Sequence, residues 1–86
     1  MKSKELKKDK LYIIKSKFDY LNNIIIQPTY SDSRTLYYRV LKHNLKSSGH
    51  FHYRDAMGKM DHRSPNALKS NFIEIGDLED YPEYFI

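Results

Sequence analysis

The sequence predicts a single α+β domain, with two main helices packed on a small three-stranded sheet. Three observations predict it. Leu11, Ile14, Phe18, Leu21 and Ile25 recur at alternating spacings of three and four, the period of one helix face. Leu36, Tyr37, Val40, Leu41, Asn44 and Leu45 repeat that period as a wider stripe. Short runs at 24–27, 50–54 and 72–75 are rich in β-branched or aromatic residues.

The first helix is placed at about 3–21, and residues 1–10 are the stretch expected to fray. A competing reading makes 11–26 a hairpin. Tyr12, Ile14, Phe18 and Tyr20 then share a strand face, and Asn22-Asn23 turns the chain into the run IIIQPTY. The completeness of the three-four pattern favours the helix. The isoleucines at 24–26 then leave it as a strand, which Pro28 is expected to end. "YSDSR" at 30–34 reads as a turn whose Ser31, Asp32 or Ser33 accepts from the free amides of a second helix, 34–47. Gly49 closes that helix.

His50-Phe51-His52-Tyr53-Arg54 alternates with period two, with Phe51 and Tyr53 on one face of a short strand. "DAMGKMDHR" reads as a loop bending at Gly58. Ser64-Pro65 reads as the start of a short helix running to about Ser70. "FIEI" at 72–75 is the last strand, Gly76-Asp77 a turn, and "LEDYPEYFI" a helical turn before an apolar end. The expected core is Leu11, Ile14, Phe18, Leu21, Ile25, Leu36, Val40, Leu41, Leu45, Phe51, Leu68, Phe72 and Ile75.

Eighty-six residues allow one modest core and little room for a deep enclosed pocket. No cysteine is present, which excludes disulfides and thiolate metal sites. The apolar run 11–14 is too short for a signal sequence, and nothing approaches a membrane span. The expectation is a soluble protein of the cytoplasm with no membrane partner.

The net charge of +4 is unevenly spread. Residues 1–17 carry seven lysines against two acids, and 34–63 carry seven Lys/Arg against Asp55 and Asp61. Residues 64–86 carry Lys69 against five acids. Two basic blocks and an acidic end point to a polyanionic or acidic partner. Alternatively, the end folds back on its own chain, with Tyr84, Phe85 and Ile86 closing the core, or it docks on a partner.

The densest chemistry is Gly49–Ser64, with three of the four histidines. His50 and His52 on one strand face, joined by Asp55, Asp61 or His62, sketch a nitrogen/oxygen metal site. No metal signature sequence occurs, so no metal and no cofactor are expected. A histidine base with Asp61 or Asp55 and Ser64 sketches a nucleophilic site. It lacks a glycine-x-serine elbow, and no phosphate-binding loop surrounds Gly58-Lys59.

The broader reading is a binding surface. Arg34, Arg39, Lys42, Lys46, His50, His52, Arg54, Lys59, His62 and Arg63 supply the charge. Tyr38 is expected to be the exposed aromatic, because Tyr37 and Tyr53 fall on core faces. Cations fix phosphates, and exposed tyrosine stacks on unpaired bases. The expected function is therefore non-enzymatic binding of nucleic acid or of a nucleic-acid-handling enzyme. One alternative is a small inhibitor of phage type that binds and blocks a host or defence protein. A second is a small metal-dependent or histidine-based nuclease.

Overall fold

Residues 11–14, Leu-Tyr-Ile-Ile, have apolar neighbours on both sides of the chain, and this decides the element they form. The computed structural model describes residues 1–42 and 57–84. In it Leu11 and Tyr12 are adjacent and both fully buried, in two different clusters. A helix with a single core face cannot do that; a strand inside a two-faced sheet does.

This strand, β1 (Lys10–Ser16), is followed by β2 (Ile25–Ser31), β3 (Thr35–Lys42) and β4 (Met57–Asp61). A four-residue helix, α1 (Pro65–Leu68), and β5 (Ser70–Asp77) come next. The strands form one antiparallel sheet in the order β4-β3-β2-β1-β5. The expected two main helices on a three-stranded sheet are thus overturned. Residues 10–16 and 35–42, read as helical, are strands, and among the described residues the α-helix that forms is α1.

The hairpin reading of 11–26 matches what forms in its pairing, but β1 ends at Ser16, and Phe18 and Tyr20 lie in the connection, not on a strand face. Tyr12 pairs with Ile26 and Ile13 with Ile25. The connecting turn is held by the Phe18 carbonyl, which accepts from Leu21 N and Asn22 N, each at 3.0 Å. Asn23 takes a left-handed φ of 68°, a conformation asparagine tolerates better than most residues. Its amide donates to Ile14 O at 2.7 Å.

Pro28 does not end the strand. It lies within β2, opposite Tyr38. β2 pairs with β1 only through Ile25 and Ile26, so the missing proline amide interrupts no bond to β1. A bulge follows between Pro28 and Tyr30.

One face of the sheet carries Tyr12, Ile14, Ile26, Leu36, Tyr38, Val40, Met60 and Phe72. Leu21 and Ile24 from the β1–β2 turn, Ala67 of α1, and the half-buried Leu6 and Phe18 close over it. The other face carries Leu11, Ile25 and Leu41, covered in part by Leu78, Tyr81 and Tyr84 of the last turns. Tyr81 and Tyr84 stack at 5.8 Å, and the Tyr81 hydroxyl donates to Ile75 O at 2.9 Å. The chain end therefore closes its own core through Tyr84. Phe85 and Ile86 lie outside the described residues, as do Leu45, Phe51 and the strand expected at 50–54.

The loop expected around Gly58 is strand β4. Gly58 sits directly opposite Tyr38, and a Cβ there would come within 2.5 Å of the Tyr38 ring. Glycine is the residue that leaves the ring its place. The start of α1 is as the sequence predicts. Ser64 Oγ accepts from Ala67 N at 3.4 Å, and Pro65 opens the helix. Leu68, expected in the core, is 66% exposed, because α1 turns Ala67 inward instead.

The N-terminal segment is tied down. Met1 O accepts from Phe72 N at 3.1 Å and Met1 N donates to Phe72 O at 3.0 Å. This pairing occupies part of the free edge of β5, where an open strand invites association. No helix among the described residues is long and apolar enough to cross a membrane.

Candidate functional site

The pleat of β3 sends Leu36, Tyr38 and Val40 to the first core and sends Tyr37 and Arg39 to the opposite face. The cross-strand partners follow. Tyr37 lies between Tyr30 of β2 and Lys59 of β4. Arg39 lies between Gln27 and Met57 in the next row. Lys42 pairs with Ile25 at the far end.

The β2 bulge at Thr29 is what turns Tyr30 to the Tyr37 side, since one extra residue reverses the parity of the strand. Thr29 Oγ1 fixes the bulge by donating to Tyr37 O at 3.1 Å. The two tyrosine rings stand 5.9 Å apart at 38°. Tyr30 is 58% exposed, Tyr37 36% and Met57 62%. Lys59 and Lys42 are also exposed. The row beyond, Thr35 and Asp61, adds an acid whose Oδ1 already accepts from Arg63 N at 2.7 Å.

Arg34 is exposed in the tight turn between β2 and β3. Asp32 builds that turn by accepting from Arg34 N at 2.8 Å and Thr35 N at 2.7 Å. These bonds have the chemistry expected of a helix cap but serve a hairpin. The Thr35 amide, then the Arg34 amide, holds the Asp32 carboxyl below its ordinary value. A depressed folded value means the contribution is complete above the unfolded value of about 3.9 and is lost as pH falls through the folded one. Asp32→Ala should therefore be less stable than the parent at neutral pH. The gap should close on acidification below about pH 4. A gap that is equally wide at pH 2 and pH 7 in urea titrations would exclude this charge-dependent role.

Two of the expected surface residues are buried. Tyr38 is 8% exposed, and burial raises its phenol above the ordinary value. Tyr37 is exposed in its place, the reverse of the sequence expectation, because a strand alternates where a helix would group them. His62 is 4% exposed. Its Nε2 lies 3.0 Å from Asp32 O and 3.1 Å from Ser31 Oγ, and its Nδ1 lies 2.8 Å from Ser3 Oγ. A carbonyl only accepts, so Nε2 carries a hydrogen, and Nδ1 shares a hydrogen bond with the Ser3 hydroxyl. Both nitrogens are thereby committed within the protein.

Lys46, His50, His52 and Arg54 lie outside the described residues, and with them the histidine pair of the metal and nuclease sketches. Among the described residues, no three His, Cys, Asp or Glu side chains come together as a metal site. A cleft of about 490 Å³ opens between the N-terminal turn and the segment from His62 to α1, lined by Lys2, Ser3, Lys4, Glu5, His62, Arg63, Ala67 and Leu68. Arg63 thus borders the cleft and not the tyrosine row. The structure brings Arg39, Lys42 and Lys59 to one face, with Arg34 at its turn.

Comparison with protein-family models, with curated proteins and with solved structures finds no match to this chain. Sequence reasoning missed Tyr30, Tyr37 and Met57. The available signal was the β-branched and aromatic content of 24–42, which favours strands and fixes which tyrosines share a face.

Proposed function

We propose that this chain is a non-enzymatic binding protein that engages nucleic acid through the β2–β3–β4 face. The observation that carries the reading is the row Tyr30–Tyr37–Lys59, two open aromatic rings ending in an exposed cation. Arg34 and Lys42 extend the positive charge along β3. Phosphates need cations spaced along a surface, and bases need exposed rings. The cleft beside the N-terminal turn supports a structural role better, since the His62 nitrogens at its wall are already hydrogen-bonded.

The test is a titration of labelled RNA and DNA across a range of salt. Alanine at Lys59, Lys42 or Arg34 should weaken binding. It should also flatten the plot of log affinity against log salt by about 0.7–0.9 for each phosphate that is no longer neutralised. Binding that is undetectable at low salt rejects the reading.

Met57 favours a second occupant for the same face. An exposed methionine beside tyrosine and arginine is typical of protein interfaces. A nucleic-acid-handling enzyme, or a host or defence protein blocked by this one, is that occupant. Affinity purification with and without nuclease separates the two readings, since a protein target survives the nuclease.

A further inference from the structure

We propose that the β2–β3–β4 face takes single-stranded nucleic acid, with two unpaired bases stacked on Tyr30 and Tyr37 and the adjoining phosphate on Lys59. This rests on the nucleic-acid reading above and narrows it to one form of the ligand.

The ring geometry makes the distinction. The Tyr30 and Tyr37 centroids are 5.9 Å apart. Successive bases in a duplex strand are stacked about 3.4 Å apart, and their faces are covered by neighbouring bases. Two such bases reach two separate rings only when they are unstacked and splayed, which a single strand permits. Charge then sets which part of the face the strand occupies. Lys59 stands directly beside Tyr37 in the same cross-strand row. The other end of this face is covered by Leu78, Tyr81 and Tyr84, in turns that also carry the exposed Glu79 and Glu83. Those carboxylates repel a phosphate chain, which leaves it the stretch between Lys42 and the tyrosine row.

The experiment is fluorescence anisotropy with a labelled single-stranded oligonucleotide and with the blunt duplex of the same sequence. The single strand should bind more tightly. Tyr37→Ala and Tyr30→Ala should each weaken it roughly 5- to 150-fold while affecting the duplex little. Tyr37→Phe keeps the ring and should retain affinity within about twofold. The chain has no tryptophan, so Tyr37→Trp provides a single tryptophan, excited selectively at the red edge, whose emission should be quenched as a base stacks on it. This readout does not depend on a truncated variant staying folded.

Equal or tighter binding of the duplex overturns the single-strand inference and leaves the basic-face reading standing. So does a Tyr37→Phe variant that binds as weakly as Tyr37→Ala, because stacking on the ring would then not hold the base. Binding of neither form overturns both.

Discussion

Replacing Tyr12 with alanine is expected to lower the unfolding free energy by about 3–5 kcal/mol, the range for emptying a buried aromatic site. Tyr12 is fully buried on the first face of β1, the strand that pairs with both β2 and β5. Its ring lies in the cluster with Ile14, Ile26 and Phe72. A domain of this length holds roughly 4–13 kcal/mol in total, so the variant loses a large share of its stability. The phenol has a separate task. Its oxygen accepts from Lys7 N at 2.9 Å and so ties the segment before β1 to the sheet. Tyr12→Phe removes only that bond. Lys7 is exposed, so water can satisfy its amide, and the cost should be about 0.5–1.5 kcal/mol. Urea unfolding of both variants, with unchanged m-values, measures the difference. An alanine variant within about 1 kcal/mol of the parent would mean the ring does not carry this core.

The same burial explains why the fold was hard to read from the sequence. Alternation is visible only where one face of a strand is polar. β1 is buried on both faces, so Leu11 and Ile14, which enter different clusters, also fit a helical spacing. In β3 apolar residues again fall on both faces. Leu36 and Val40 enter the first cluster and Leu41 the second, so together with Tyr37 they look like two steps along a helix, although Tyr37 is on an open face. The parity error then carried into the site, exchanging the roles of Tyr37 and Tyr38. Signals that depend only on neighbouring residues were legible. They include the turn at 30–34, the Ser64-Pro65 helix start and the strand around 72–75. The exposed cations Arg34, Lys42 and Lys59 were also legible, because charge type does not depend on the period chosen. His62 was not. Its partners Ser3 and Ser31 are 59 and 31 residues away, and no local pattern announces such a pairing.

The burial of His62 leads to the second large effect. His62→Ala should destabilise the protein by about 2–4 kcal/mol, combining a cavity with polar groups left without partners. The imidazole joins the N-terminal turn and the β2–β3 hairpin to the segment after β4. Ser3 reaches it from the N-terminal turn, Ser31 from the end of β2 and Asp32 from the β2–β3 hairpin. Its own backbone amide donates to Arg34 O at 2.8 Å, which places the ring beside that hairpin. His62→Phe fills the space but provides no partner for Ser3 Oγ or Asp32 O. It should therefore recover the cavity component and leave the hydrogen-bond component. Ser3→Ala removes the Nδ1 partner alone and should cost about 0.5–1.5 kcal/mol. Combined with His62→Ala it should add much less than its single value, because the bond it breaks is already gone. A coupling of about 0.5–3 kcal/mol in that double-mutant cycle is the expected signature of direct contact. Strictly additive costs would separate Ser3 from His62 and remove the link between the N-terminal turn and the sheet. If His62→Ala instead keeps its stability and loses nucleic-acid affinity, the ring belongs to a binding surface, as the sequence alone had placed it.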